Sequence, residues 1–349
     1  MERWLRGWGF YVGFGLLIGG LYLRALSVKP STQLRVVQAP PQESVLEWWP
    51  KDLGPSAFAR AAARAPAAAA ALSMLTLLMA GAGIGGVVLT LRALVTGRIR
   101  EIWRFTAPGG AGPPAWTFGE LTRIIFLTVM VALLLPFLRP AFFPPAPDGR
   151  IDAHLWITVS MCALDAFLIV AILAFASGKA ATLWRAFGVS RGELIPRIAA
   201  ALRAYLTVFP WLFLLLFLVV EGARAVGLKP PVEPIQQLIF GERRPLVLAL
   251  TVVLGCVIGP LAEELFFRGV VYTAIRRRLP RAAAIMASGA AFSILHTNPL
   301  GFLPITALGC LLAYLYERTG SLISPLVVHV AHNTLLLSLA LLVKRLMTD

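Results

Sequence analysis

Charged residues are scarce in this chain, and their scarcity excludes most classes of soluble protein. Only 14% of the 349 residues are charged and 58% are hydrophobic, with a mean hydropathy of +0.78. Soluble domains are about one quarter charged, and a soluble core has no use for repeated apolar runs of about twenty residues. The composition therefore excludes a secreted, disordered or conventional cytosolic protein and predicts a polytopic membrane protein.

Cysteine and acidic residues are also few. The three cysteines, Cys162, Cys256 and Cys310, lie in apolar stretches and form neither a disulfide framework nor a zinc-binding spacing. Asp and Glu number 17 against 32 Lys and Arg, a net charge of +15. In a soluble protein this excess would indicate nucleic-acid binding, but in a membrane protein basic residues fill the cytoplasmic loops. We therefore expect the lipid bilayer, and no nucleic acid, as a partner.

Nine apolar runs predict an all-α fold, a polytopic membrane bundle of about eight or nine transmembrane helices. The first run is interpreted as a retained helix, because its apolar part is followed by Arg24 and by no convincing small-residue cleavage site. The runs cover residues 9–23, 66–91, 122–138, 154–176, 199–220, 245–275, 282–297, 302–316 and 321–343.

Basic residues between the runs predict the orientation in the membrane. Segments 92–123, 177–198 and 276–281 carry an excess of Arg and Lys, and they fall on one side if the N-terminus is cytoplasmic. The loops 24–65 and 223–244 have mixed charge and argue weakly against this orientation. We expect an N-terminus in the cytoplasm.

Three charged residues interrupt the otherwise apolar run 245–275: Glu263, Glu264 and Arg268. Each costs about 2.5–3.5 kcal/mol near the centre of a membrane helix. Glu264 and Arg268 are four residues apart in the favourable acid-first order, so they are predicted to pair. Glu263 points about 100° away round the helix and has no local partner. An unpaired carboxylate in an apolar site suits a general base.

Pro260 lies one turn before these glutamates. It cannot donate a hydrogen bond to the carbonyl of Cys256, so a kink is predicted there. Two interpretations stay open: an opened turn that admits water to a hydrolytic site, or an ordinary kink of a membrane helix.

Three of the four histidines lie in the last 54 residues. His329 and Asn333 are four residues apart and share one helix face, whereas His332 points elsewhere and is interpreted as a spectator. At 1.5 Å per residue, Glu263, His296 and His329 lie roughly 18, 21 and 13 Å into their spans. The three groups are therefore expected to converge near mid-bilayer, although chance also allows this in a span of about 30 Å.

Three motifs in this order resemble those of the CPBP family, which includes type II CAAX prenyl endopeptidases and bacterial bacteriocin-processing and immunity proteins. They are Glu263-Glu264-Leu265-Phe266-Phe267-Arg268, Phe292-Ser293-Ile294-Leu295-His296 and His329-Val330-Ala331-His332-Asn333. The resemblance covers residues 245–343, predicted to be a protease core. Residues 1–244 match no family pattern and are predicted to be an N-terminal transmembrane extension of unknown role.

The resemblance implies an intramembrane endopeptidase of the glutamate type, without a cofactor. Glu263 and His296 would activate a water molecule, and His329 and Asn333 would stabilise the oxyanion of the tetrahedral intermediate. Glu264 and Arg268 would support these residues. A divalent metal ion is the alternative, although Asn333 makes the set unusual for zinc.

Two other functions stay open: a proton-coupled transporter and a non-catalytic scaffold or immunity protein on the same fold. A transporter predicts polar groups spread along a path and often repeats, neither of which the sequence shows. The content of Ala, Arg, Gly and Pro is typical of a GC-rich bacterial gene. We therefore expect a protein of the bacterial inner membrane whose substrate is a membrane-anchored protein or peptide.

Overall fold

The computed structural model describes residues 8–27, 55–98, 103, 116–143, 152–179, 187–188, 194–228, 234–296 and 298–348. Much of the predicted loops 24–65, 92–123 and 177–198 lies outside these residues. Within them the structure is helical and has no strand, which confirms the all-α prediction. The helices are α1 (Trp8–Ser27), α2 (Pro55–Arg64), α3 (Pro66–Val95), α4 (Phe118–Phe142), α5 (Ala153–Ala176), α6 (Leu194–Ala225), α7 (Pro234–Gly241), α8 (Pro245–Arg276), α9 (Arg281–Ile294), α10 (Phe302–Thr319) and α11 (Ile323–Thr348).

Six of the described helices are long and apolar enough to cross a membrane, namely α3, α4, α5, α6, α8 and α11. Two shorter apolar helices, α1 and α9, coincide with two more of the predicted runs. The remaining run, 302–316, forms most of α10, which has 18 residues. The chain is an integral, multi-pass membrane protein, and each predicted apolar run coincides with a helix.

Local signals at the helix ends explain where several helices begin and end. At α4, Thr117 and Glu120 form a reciprocal capping box, in which the Glu120 carboxylate accepts from the Thr117 backbone N–H at 2.9 Å. At α5, the Asp152 side chain accepts from the backbone N–H of Leu155 at 2.9 Å. At the end of α10, Gly320 takes the left-handed conformation with φ of 60°.

Two buried clusters hold the bundle together. The larger one joins α4, α5, α8, α9 and α10 and includes Ile124, Ile172, Phe267 and Phe292. The second joins α6, α10 and α11. Both clusters contain residues from either side of position 244, so α4, α5 and α6 pack directly on the segment that resembles a protease. The division of the chain at this position stays a prediction.

The helices α9 and α10 approach each other at backbone distance. A Cβ atom on Gly289 would lie 2.6 Å from the Cys310 sulfur and 2.9 Å from the Cys310 backbone nitrogen. No side chain fits this contact without a shift, so glycine is required for the close approach. The contact fixes α9, which carries Phe292 and leads to His296.

Ionic networks lie at both ends of the bundle. At one end Arg244, before α8, bonds to the carboxylates of Asp152 and Glu242, and Lys344 of α11 donates to the Glu242 carbonyl. The Arg244 hydrogen bonds lower the pKa of Asp152, and they lower that of Glu242 to about 2 against the opposing effect of burial. At the other end Glu317 accepts from Tyr272 and Arg281. The candidate site lies between these ends.

Candidate functional site

The helix α8 changes its hydrogen-bond register just before the two glutamates. Residues Leu254–Ile258 are π-helical, Gly259–Glu264 are α-helical and Leu265–Tyr272 are π-helical again. The Gly259 backbone N–H donates to the carbonyl of Leu254, five residues back. In the same register Pro260 would donate to Gly255, but proline has no N–H to give. The Gly255 carbonyl is therefore left without its partner inside the helix.

The side chain of Asn333 forms a hydrogen bond to this carbonyl. Its side-chain Nδ2 donates to the Gly255 oxygen at 2.9 Å. The bond joins α11 to α8 one turn before Pro260 and fixes the side chain of Asn333. One of the two N–H groups of this amide is used in the bond, and the other is left for a further acceptor.

Glu264 and Arg268 form the pair that their spacing predicts. Arg268 Nη1 donates to Glu264 Oε1 at 2.8 Å, and both residues have 0% exposure. Arg268 Nη2 donates to the carbonyl of Gly309 at 3.1 Å, and the guanidinium lies 4.6 Å from the ring centre of Phe292. Ion pairing, a backbone acceptor and a cation–π contact together compensate the burial of this charge.

His329 stands between the two glutamates. Its Nδ1 lies 2.7 Å from Glu264 Oε1 and its Nε2 lies 3.6 Å from Glu263 Oε2. Because a carboxylate can only accept, Nδ1 is the donor to Glu264, and Nε2 is the ring atom that faces Glu263. Glu264 therefore orients His329 as well as holding Arg268.

Glu263 is the accessible member of the group. Its side chain is 34% exposed, whereas that of His329 is 2% exposed. The Oε2 atom is buried and has no hydrogen-bond partner within the described part of the chain. An unpaired acceptor oxygen in the interior of an apolar bundle is the arrangement expected of a group that acts on a small polar reactant.

His296 follows the end of α9 and lies beside the group without bonding to Glu263. Its Nδ1 lies 2.9 Å from the Phe292 carbonyl, which makes Nδ1 the donor and leaves Nε2 as an acceptor. The Phe292 ring contacts both His296 and His329, with centroid distances of 4.7 and 5.6 Å. Among the described residues, no hydrogen bond or ion pair joins His296 to Glu263. The two histidines are thus linked through Phe292.

His332 forms a hydrogen bond with the Tyr205 hydroxyl of α6 at 2.8 Å from its Nδ1. This contact connects α11 to α6 and makes no bond to the glutamates. It gives His332 a structural role in helix packing, the kind of role that its interpretation as a spectator anticipates.

Asp165 is a residue near the group that the motifs do not include. It lies near the middle of α5, and its Oδ2 is 3.7 Å from the position that a Cβ atom on Gly259 would occupy. It also interacts electrostatically with Glu263. The signal for it was present in the sequence, because Asp165 is the only acidic residue inside the apolar run 154–176.

Metal ligation was the alternative to water activation by glutamate. Over the described residues, no group of three or more His, Cys, Asp or Glu side chains is placed to hold a metal ion. The prediction of a site without a cofactor stays a prediction.

Comparisons with known proteins match the same part of the chain. Residues 245–335 match the family described as "Type II CAAX prenyl endopeptidase Rce1-like". A curated protein of Bacillus subtilis (strain 168) named "Putative membrane peptidase YdiL" is 31% identical over 85 residues. This match spans 24% of the present chain and 35% of the relative, about a third of its length. No solved structure matches the chain significantly. The predicted resemblance to the CPBP family is confirmed for this segment.

Proposed function

We propose, on the premise that residues 245–335 are a CPBP-type peptidase segment, that this chain is an intramembrane endopeptidase of the glutamate type. One observation carries the proposal. Glu263 presents a carboxylate oxygen that accepts no hydrogen bond from the described residues and lies 3.6 Å from His329 Nε2, among apolar helices. A base and an imidazole edge at this spacing can both contact one water molecule that lies beside them.

The charges of the group support this role. Glu264 and Arg268, both fully buried, form an ion pair, which is how buried charges are tolerated. In the proposed reaction Glu263 takes a proton from water as the resulting hydroxide attacks the scissile carbonyl carbon. His329 Nε2 then donates a hydrogen bond to the oxyanion, while Glu264 and Arg268 hold the imidazole in place.

His296 and Asn333 complete the proposed site at its margins. The Nε2 atom of His296 is left as an acceptor, suited to assist Glu263 in water activation. Asn333 has a second amide N–H that can donate to the oxyanion while the first is bonded to Gly255.

The proposed substrate is a membrane-anchored protein or peptide that is cleaved near its terminus. A site among apolar helices is reached from the bilayer, so a substrate needs its own membrane anchor to reach it. The proposed location is the bacterial inner membrane with the N-terminus in the cytoplasm. Leader peptides and C-terminal sorting tails are substrates of this kind, because they carry a membrane anchor.

The test compares the termini of membrane proteins in cells that produce the wild type, Glu263→Gln or Glu221→Gln. Glu221 is a partly exposed carboxylate of α6 that pairs with Arg224 away from the site, so its variant is a matched control. We expect at least one membrane protein to lose its processed terminus with Glu263→Gln alone, at normal abundance of the variant. Identical termini in all three strains would contradict the peptidase and favour a scaffold on this fold.

A further inference from the structure

Asp165 is a carboxyl group in the middle of a membrane helix, with no bonded partner in the described residues. Within these residues it forms neither a hydrogen bond nor an ion pair, although α5 is one of the six candidate spans. An ionisable side chain at this depth is costly and calls for a compensating interaction or a function. The ion pairs that join Glu264, Arg268 and His329 do not include Asp165, so they give it no role.

The register between α5 and α8 places Asp165 at the level of the site. These helices begin together at the ionic contact of Asp152 with Arg244, and the hydroxyl of Thr158 lies 3.5 Å from that of Thr251. Seven residues further along each helix are Asp165 and Ile258. Because both helices rise about 1.5 Å per residue, Asp165 arrives level with the turn that begins at Gly259.

Gly259 leaves the space in which the Asp165 carboxyl lies. The Oδ2 atom is 3.7 Å from the position of a Cβ atom on Gly259. Gly259 and Glu263 are four residues apart in an α-helical turn, so their Cβ positions share a face about 5–6 Å apart. The carboxyl groups of Asp165 and Glu263 can therefore approach each other along this face, and their charges interact.

The surroundings of Asp165 contain few other charges that could compensate it. Its own helix contributes Cys162, and α4, which packs along α5, has no titratable residue between Arg123 and Arg139. His329 of α11 contacts Glu263 rather than Asp165. The titratable residues of α8 are Cys256, Glu263, Glu264, Arg268, Tyr272 and Arg276.

We propose that Asp165 is a further catalytic residue of the site, whose carboxyl group shares a single proton with that of Glu263. Arg268 is already bonded to Glu264, so it does not neutralise this second pair. Two like charges near each other among apolar membrane helices repel each other, and one bound proton removes the repulsion.

The shared proton deepens the proposed peptidase and rests on it. One ionised and one protonated carboxyl are the two forms that peptide hydrolysis uses. Glu263 accepts a proton from water as the C–O bond forms, and Asp165 gives its proton to the amide nitrogen as the C–N bond breaks. The pair ends the reaction with one proton, now on Glu263, and a transfer between the two carboxyls restores the starting form.

The experiment is an infrared pH titration of the full-length protein in phospholipid vesicles, which follows the C=O stretch of protonated carboxyl groups. The proteins compared are the wild type, Asp165→Asn, Glu263→Gln, the double variant and the control Glu221→Gln. We expect a protonated carboxyl at neutral pH in the wild type and the control. Each single variant should release its remaining proton at a lower pH, and the double variant should lack the band.

An unchanged titration in either single variant, or no protonated carboxyl at neutral pH in the wild type, would overturn the shared proton. Asp165→Glu keeps a carboxyl group and should keep the band, which separates loss of the proton from loss of folding. The titration needs no substrate. If Glu263→Gln leaves all membrane-protein termini unchanged while the titration shows coupling, the proposed function fails and the proton pair stands.

Discussion

Arg268 has its charge fully enclosed by protein, and among the described residues Glu264 is the only carboxylate within hydrogen-bond distance of it. Glu264→Ala removes this partner and leaves a buried cation, which costs about 3–5 kcal/mol. We expect a severalfold lower level of the variant in membranes, measured by immunoblot. Adding Arg268→Ala should partly restore the level but not the processing, because His329 still lacks its bond to Glu264. A level that does not recover would show that the pair does not determine stability.

Asn333 separates water activation by glutamate from a metal mechanism. Asn333→Ala should lower turnover by about 10²–10³ through loss of an oxyanion donor, with little change in substrate affinity. Asn333→Asp should be at least as damaging, because its carboxylate would also face the Gly255 carbonyl oxygen that the amide now bonds. EDTA should have little effect on the wild type. A chelator-sensitive, active Asn333→Asp protein would instead support a metal-binding site.

The sequence predicted the contacts that arise within one helical turn, and it missed those that depend on packing between helices. The Glu264–Arg268 pair follows from a spacing of four, and the structure confirms it at 2.8 Å. The bond from Glu264 to His329 crosses 65 positions of the chain and needs the packing of α8 against α11. Asp165 could have been found, because a lone carboxylate in an apolar run is costly wherever it lies.

At the scale of the element, Pro260 couples the shape of α8 to the position of Asn333. Pro260→Ala returns a backbone N–H that can bond to Gly255 and compete with Asn333 Nδ2 for this carbonyl. One hydrogen bond is worth about 1 kcal/mol, so turnover should fall about fivefold while the protein stays as stable or becomes more so.

Pro136→Ala is the control for this prediction, because Pro136 also lies inside a membrane helix, α4, away from Asn333. Turnover and thermal unfolding in detergent are measured on both variants. A fall in turnover with Pro136→Ala as large as that with Pro260→Ala would indicate a general effect of helix prolines.

The change of register in α8 was beyond the reach of the sequence pattern. Pro260 predicted a kink, and the structure has π-helical turns beginning at Leu254 and Leu265. Hydrophobic periodicity distinguishes a helix from a strand. An apolar run such as 245–275 does not show which backbone carbonyl accepts a hydrogen bond from each backbone N–H. The bond of Asn333 to the Gly255 carbonyl depends on this hydrogen-bond pattern.

At the scale of the whole molecule, the network of Asp152, Glu242 and Arg244 should make the stability of the fold depend on pH. Both carboxyl groups have a lowered pKa in the folded protein, that of Glu242 about 2. Their stabilising effect is therefore complete above the unfolded pKa values of about 3.9 and 4.3, and it is lost as the pH falls toward the folded values.

Arg244→Gln should remove this dependence. Arg244 is 48% exposed, so solvent screening limits the loss of stability at neutral pH to about 1 kcal/mol. The difference between the wild type and the variant should shrink on acidification, measured by thermal unfolding in detergent between about pH 3 and 7. A constant difference over this range would mean that the carboxyl groups keep their usual titration in the fold.

The π turn at Leu254–Ile258 also bears on how the length of α8 is constrained over evolution. One added residue rotates everything after it by about 100° when the helix stays regular, whereas a π turn accommodates the addition locally. Removing one residue from this turn while the helix returns to α-helical hydrogen bonding would therefore leave Glu263 and Glu264 facing His329. The same deletion in a regular α-helical stretch before the glutamates would rotate both away by about 100°. A homologue with a one-residue gap at this turn can thus keep its signature residues on the right face, whereas a one-residue gap in a regular part of the helix before the glutamates would carry every motif on the wrong face.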